Sequence, residues 1–274
     1  MNPLGKDKKY VQDLFQFDFV FLQHGVTKDD LSSWSHRYNK TIHLFVANAY
    51  PEYLSLLAQA YRYSQKTVKW LGFPRYDHHL WLNQNYSVSN TKIISPSTLE
   101  KLHCKNKKQN AIDTYYPDLK NSDYYHFNNQ LINNNRLCET MRQYNYTALF
   151  GLHPNFALNW IDFTGNDFFH VLSGFMDCQA LFASSSLLVT DYSSVAFDFA
   201  LLKKPVINSQ FDKNTFFRYH TYKQGYFDYE KHGFESVCYN LQSTVTAIIE
   251  TIHHNCQLTY IYLNRVASFF TFFD

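Results

Sequence analysis

Five short polar signatures, each closing an apolar run, carry the residues of this sequence that can do chemistry. They are QHG at 23–25, GFPRYD at 72–77, ISPS at 94–97, GLHPN at 151–155 and VTDYSS at 189–194. His24 has an imidazole that titrates near neutrality and can take a proton from an attacking hydroxyl; equally, a histidine at a strand end can bond a carbonyl. Gly25 beside it permits a tight turn or a close approach of ligand to backbone. His153 can donate to a phosphate oxygen and favour departure of a phosphate leaving group, or it can pack within its loop. Asn155 can bond its own backbone or a ligand. Arg75 can hold a phosphate through its fork of donors, or pair with Asp77 or another carboxylate to pin its loop. Thr190, Ser193 and Ser194 add hydroxyls to the unpaired amides expected where a helix begins, an arrangement that attracts anions. Asp191 pulls the other way, because a carboxylate repels phosphate and is itself a good N-cap. Helix cap and anion cradle both remain open for TDYSS.

The elements that must position these residues alternate between strand and helix. FDFVFLQHG (17–25), HLFVANA (43–49) and TVKWLGFPRYD (67–77) read as strands ending in loops. PEYLSLLAQAYRY (51–63) reads as a helix, with Pro at its start and apolar residues at helical spacing. KIISPS (92–97) opens a second unit. Residues 98–145 are polar, rich in Asn, Lys and Tyr, with NNQLINNNR holding part of a helix. Strands return at 146–155, 168–174, 187–189 and 205–208, and helices at 176–185, 193–202 and 241–254. The alternation predicts two parallel α/β units, 1–90 and 91–274, joined near 80–92. In such folds ligands collect at the carboxyl ends of strands, where all five signatures fall.

Composition narrows the function classes. The chain has 274 residues, 45% hydrophobic and 18% charged, which indicates a folded globular protein. A net charge of +2 is too small for a dedicated nucleic-acid binder. The basic runs at Lys6–Lys9 and Lys105–Lys108 suit at most a peripheral contact with an acidic membrane surface. No run of about 20 apolar residues is present to span a bilayer. Five widely spaced cysteines without CxxC spacing point to a reducing compartment and to no structural zinc. The pairs His78–His79 and His253–His254 are expected to be satisfied within the fold or to face solvent.

Taken in order, QHG, GFPRYD, HPN, VTDYSSVAFDFALLKKPVI and GYFDYEKHGF resemble the CDP-glycerol glycerophosphotransferase family, over roughly residues 15–240. The resemblance implies a GT-B-like fold of two Rossmann-like domains facing across a cleft, without a cofactor, using a CDP-alditol as donor substrate. It implies His24 as base for the acceptor hydroxyl and His153 near the donor phosphates. Thr190, Ser193 and Ser194 would bind those phosphates, with Asp191 orienting their segment or contacting the acceptor or donor alcohol. Gly25, Arg75, Asp77, Ser95 and Asn155 complete the expected substrate-binding set. The partners implied are a nucleotide-activated alditol and a polymer or lipid-linked primer, with no nucleic acid. The location implied is cytoplasmic, peripheral to the inner membrane face. Two departures stand out. Only 23 residues precede His24, so the first domain is expected to be incomplete. ISPSTLEKLH stands where the family commonly has a Thr-Trp-Arg type sequence, so a basic donor contact is either missing or supplied by Lys101 or Lys105. The alternatives are a nucleotide-sugar glycosyltransferase and a noncatalytic nucleotide-binding domain.

Overall fold

Strands whose two faces are both covered carry continuous apolar runs, and SSLLVT is such a run: Leu187 and Leu188 are fully buried and Val189 nearly so. The computed structural model describes residues 18–85, 92–96, 115–152, 154–173, 177–214, 216 and 223–270. Within them lie two parallel sheets. The first has three strands, β1 (Val20–Phe21), β2 (Leu44–Ala47) and β3 (Val68–Trp70), in that order. Here α1 (Ser32–Ser35) and α2 (Tyr50–Leu57) make the crossovers, and α3 (Pro74–Asn85) follows β3. The second sheet contains β4 (Lys92–Pro96), β5 (Thr147–Gly151), β6 (Phe169–Val171), β7 (Ser185–Thr190), β8 (Val206–Ser209) and β9 (Val237–Cys238). Its helices are α4 (Asp123–Ile132), α5 (Asn135–Tyr144), α6 (Cys178–Ser184), α7 (Val195–Ala200) and α8 (Tyr229–His232). After β9 come α9 (Leu241–His253) and α10 (Tyr260–Phe269).

The order β6-β5-β4-β7-β8-β9, all parallel, is that of a doubly wound Rossmann-type sheet. It reverses direction between β4 and β7, and the crevice at such a switch point opens beyond the carboxyl ends of the strands. ISPS ends β4 and TDYSS follows β7, so two of the five signatures flank that point.

Among the described residues, three apolar cores hold the fold. One packs α4, α5 and α9 on the large sheet through Leu131, Leu137, Phe150 and Ile248. A small one, including Phe45, Leu56 and Tyr63, fills the first sheet. The third joins the two units: Val26, Ala49, Phe73 and Tyr76 pack with Phe182, Phe197, Phe234 and Phe269. Thus α3 lies on α6, and α10 returns to touch α2.

Several elements differ from the sequence expectation, each for a local reason. The helix from 51 stops at Leu57 because Tyr61 and Tyr63 turn back into the small core, where the Leu31 amide donates to the Tyr61 hydroxyl at 2.8 Å. PRYD is the first turn of α3 rather than a loop, since Pro is well suited to a helix start. The polar stretch before 145 forms two full helices. Ser122 and Asn134 cap them, and Leu131, Ile132, Leu137 and Met141 supply a buried stripe among the polar residues. The 3-10 segment Pro154–Asp162 and α10 were not anticipated. Among the described residues no helix is long and apolar enough to cross a membrane.

Candidate functional site

The QHG loop leaves β1 and is held from below by one buried side chain. Glu52, in the first turn of α2, is fully buried. Its Oε1 accepts from the Thr27 amide at 2.6 Å and from Gln23 Nε2 at 3.1 Å. Its Oε2 accepts from the Asn48 amide at 2.6 Å and from Asn48 Nδ2 at 3.4 Å. Burial pushes its carboxyl above the usual range, while the bonds from Asn48 and Thr27 pull it back. The Thr27 hydroxyl donates to Gln23 Oε1, and Gln23 sits in the left-handed region at φ 58°. Glu52 therefore clamps both sides of His24. Its sequence signal was modest, an acid beside Pro51 at a helix start.

The opposing wall is the TDYSS turn. Thr190 ends β7 opposite Asn208 of β8, and Asn208 Nδ2 donates to the Asp191 carbonyl at 3.0 Å. Ser193 Oγ accepts from the Val195 amide at 3.4 Å, so Ser193 shares in capping α7. Ser194 occupies the N-cap position but makes no side-chain cap bond. The helix is six residues long, shorter than the 193–202 expected, and both serines stay in the turn. Tyr192 stacks on Phe216 with ring centroids 3.5 Å apart and backs the turn with an apolar layer.

These two walls meet. A β-carbon at Gly25 would come within 2.6 Å of Ser194 Oγ and 3.2 Å of Ser194 Cβ, so a side chain there would push the Ser194 hydroxyl aside. Between them lies a cavity of about 300 Å³ lined by His24, Gly25, Lys28, Trp34, Ser193 and Ser194, among others. The 223–229 segment closes one flank: the Asp30 amide donates to the Lys223 carbonyl at 2.9 Å, and a β-carbon at Gly225 would run into the Lys28 carbonyl. Lys28 is buried, with Nζ 2.5 Å from Asp29 Oδ2. The arrangement can present a hydroxyl to the imidazole on one side and meet an anion with serine hydroxyls on the other.

Arg75 is committed elsewhere. It forks onto Asp198 of α7, with Nε 3.2 Å from Oδ2 and Nη2 2.9 Å from both carboxylate oxygens, and its guanidinium lies 4.0 Å over the Phe73 ring. Burial raises the Asp198 carboxyl to about 6 against the opposing pull of Arg75. The pair ties the first unit to the helix behind TDYSS, so the carboxylate partner is Asp198 rather than Asp77. Asp77 is exposed in the first turn of α3, where an acid suits the helix dipole. Neither Arg75 nor Asp77 lines the cavity. Thr190 and Asp191 are buried beneath the turn and line a smaller cleft beside Asn128 and Phe211.

His153, Lys101 and Lys105 lie outside the described residues, as do the side chains of Ser95 and Asn155. Of the paired histidines, His79 is buried against Phe182, and burial together with the nearby Arg75 charge lowers its imidazole to about 4. His78 stacks on Trp81 at the surface. Cys138, Cys178, Cys238 and Cys256 are free thiols. Among the described residues no three His, Cys, Asp or Glu side chains group to hold a metal ion.

Comparison with known proteins places this geometry. A family model described as CDP-Glycerol:Poly(glycerophosphate) glycerophosphotransferase matches residues 7–274. The minor teichoic acid biosynthesis protein GgaB of Bacillus subtilis is 38% identical over 275 residues, covering 100% of this chain and 29% of that protein. The teichoic acid poly(ribitol-phosphate) polymerase of Bacillus spizizenii is 34% identical over 106 residues, 38% of this chain and 17% of that protein. The chain thus spans less than a third of the length of either relative. The structure of the wall teichoic acid polymerase TagF superposes with a TM-score of 0.63 at 15% identity, covering 94% of this chain and 64% of that one. The S. aureus MnaA–UDP structure shares the fold more distantly, with a TM-score of 0.50 at 14% identity, over 94% of this chain and 67% of that one. The fold is therefore α/β and GT-B-like, with two Rossmann-like domains across a cleft.

Proposed function

The chain belongs to the CDP-glycerol:poly(glycerophosphate) glycerophosphotransferase family, and from that premise we propose that it transfers an alditol phosphate from a CDP-alditol to a polymer hydroxyl. Glycerol phosphate is the group favoured, a teichoic-acid-like chain the acceptor, and CMP the product released. The observation that carries this reading is the closure of the His24–Gly25 loop onto Ser194 across a single cavity, which brings a base and phosphate-binding hydroxyls within reach of one substrate.

Residues 1–90 are assigned to the acceptor and 91–274 to the donor. The acceptor oxygen attacks the β-phosphorus, its new O–P bond forming as the bond to CMP breaks and CMP keeps the electron pair. His24 takes the hydroxyl proton. Ser193 and Ser194 hold the transferring phosphate, and His153 donates to the leaving group. Thr190, Asp191, Asn208 and Glu52 keep the two walls in register. Gly25 allows the approach, the Arg75–Asp198 pair ties the two units, and Ser95 in β4 and Asn155 in the 3-10 segment after β5 stand on the donor side. A lipid-linked primer would bring the protein to the inner membrane face.

The test is to incubate the protein with labelled CDP-glycerol, CDP-ribitol and nucleotide-sugars, each with and without an oligo(glycerol phosphate) primer. Primer-dependent CMP release from a CDP-alditol is the expected result. Donor binding without release would point to a noncatalytic domain, and turnover of a nucleotide-sugar alone to a glycosyltransferase.

A further inference from the structure

The cavity has a third side that the transfer step leaves unused. Trp34 of α1 lines it, and 45% of the residue remains exposed, so its ring is open to a ligand at the cavity. Phe21 supports the ring from below at 6.1 Å between centroids. Lys40 Nζ lies 4.5 Å from the ring centroid, held there by the electron-rich face. Among the described residues neither Lys40 nor its exposed neighbour Arg37 pairs with a carboxylate. The acids nearest in sequence are occupied: Asp29 pairs with Lys28, and Asp30 accepts from the Ser32 amide at 2.8 Å. Positive charge and an apolar plane therefore stand together on the rim of the His24 wall, away from Ser193 and Ser194.

We infer that Trp34 and Lys40 form the docking platform for the acceptor, a polyol-phosphate chain whose phosphodiester meets Lys40 while its carbon backbone lies on the indole. The inference rests on the proposed transfer reaction and specifies which part of the acceptor is read. Charge complementarity selects an anionic polymer over a neutral polyol. Placement on the His24 side assigns it to acceptor rather than donor. The terminal hydroxyl then reaches the imidazole while the preceding repeat is held outside the cavity, so the platform governs acceptor affinity and not the chemical step.

The experiment compares wild type with Lys40→Glu, Trp34→Ala and Trp34→Phe in CMP release, using an oligo(glycerol phosphate) primer or free glycerol as acceptor. Lys40→Glu and Trp34→Ala are each expected to raise the primer KM about tenfold. In Lys40→Glu, which lies outside the cavity lining, the CDP-glycerol KM and the rate with free glycerol should stay at wild-type values, and Trp34→Phe should keep most of the primer affinity. Unchanged primer KM in Lys40→Glu, or a parallel rise in the CDP-glycerol KM, overturns the inference. Calorimetric binding of the primer alone, with circular dichroism as a check of folding, reads the platform without turnover. If wild type releases no CMP but binds primer through Lys40, the transfer reading fails and the platform stands. If the variants keep primer binding and lose only binding to phosphatidylglycerol vesicles, the surface is a membrane contact and the inference fails.

Discussion

The QHG loop and the TDYSS turn face each other across one cavity, yet they are held in opposite ways. The loop hangs from a sheet of only three strands, and a single buried carboxylate, Glu52, gathers four donors to shape it. The turn stands at the carboxyl end of an inner strand of six, where sheet pairing runs as far as Thr190 and Asn208 adds one bond to the Asp191 carbonyl. A site assembled this way has one wall that depends on a particular side chain and one that depends on topology. The first should fail abruptly when its clamp is cut, and the second should yield gradually.

The largest effect is expected at the chemistry itself. His24→Ala should lower primer-dependent CMP release by about 100- to 10,000-fold, the range of general base catalysis, with donor binding retained. Normal turnover in that variant would remove His24 as base. Next is the clamp. Glu52→Ala strands the buried amides of Thr27 and Asn48 and should cost about 3 kcal/mol in urea unfolding, with a large fall in turnover. On the opposite wall Asn208→Ala removes one bond from a turn whose first residue the sheet anchors, and should cost about 1 kcal/mol with activity largely kept. Equal costs for these two substitutions would erase the contrast between the walls.

The smallest effect is a slope with pH. Burial raises the Asp198 carboxyl to about 6 from its ordinary 3.8. Between those values the folded chain holds a proton that the unfolded chain lacks, so this group's contribution to stability grows as pH falls and is lost as pH rises through 6. Wild type should gain urea stability relative to Asp198→Asn as pH is lowered from 7 towards 4. A flat difference would mean that Arg75 keeps the carboxyl ionised throughout.

Much of the fold was legible because its signals are local. Apolar runs closed by polar loops located the strands, and helical spacing found α9, which Asn240 caps reciprocally with Ser243. Where non-local packing competed with periodicity, the reading slipped. Tyr61 and Tyr63 continue a helical pattern yet leave the helix to fill the small core. Leu131, Ile132, Leu137 and Met141 were hard to see as a buried stripe among so many asparagines. In the candidate site, His24, Gly25, Ser193 and Ser194 were identifiable by type and position. Glu52 and Asp198 were not, because the clamp draws on Gln23 and Thr27, 29 and 25 residues away, and the tie on Arg75, 123 residues away.

Residue type and short-range pattern alone determined that this protein is a parallel α/β chain with reactive groups at the carboxyl ends of its strands. Those properties follow from backbone periodicity and from the few side chains that can move protons or hold anions. Only the tertiary structure decided that Gly25 meets Ser194, that Arg75 serves Asp198, and that Trp34 stands open beside the cavity. Each depends on distances between segments that share no local pattern, and burial in a common core is what brings those segments together.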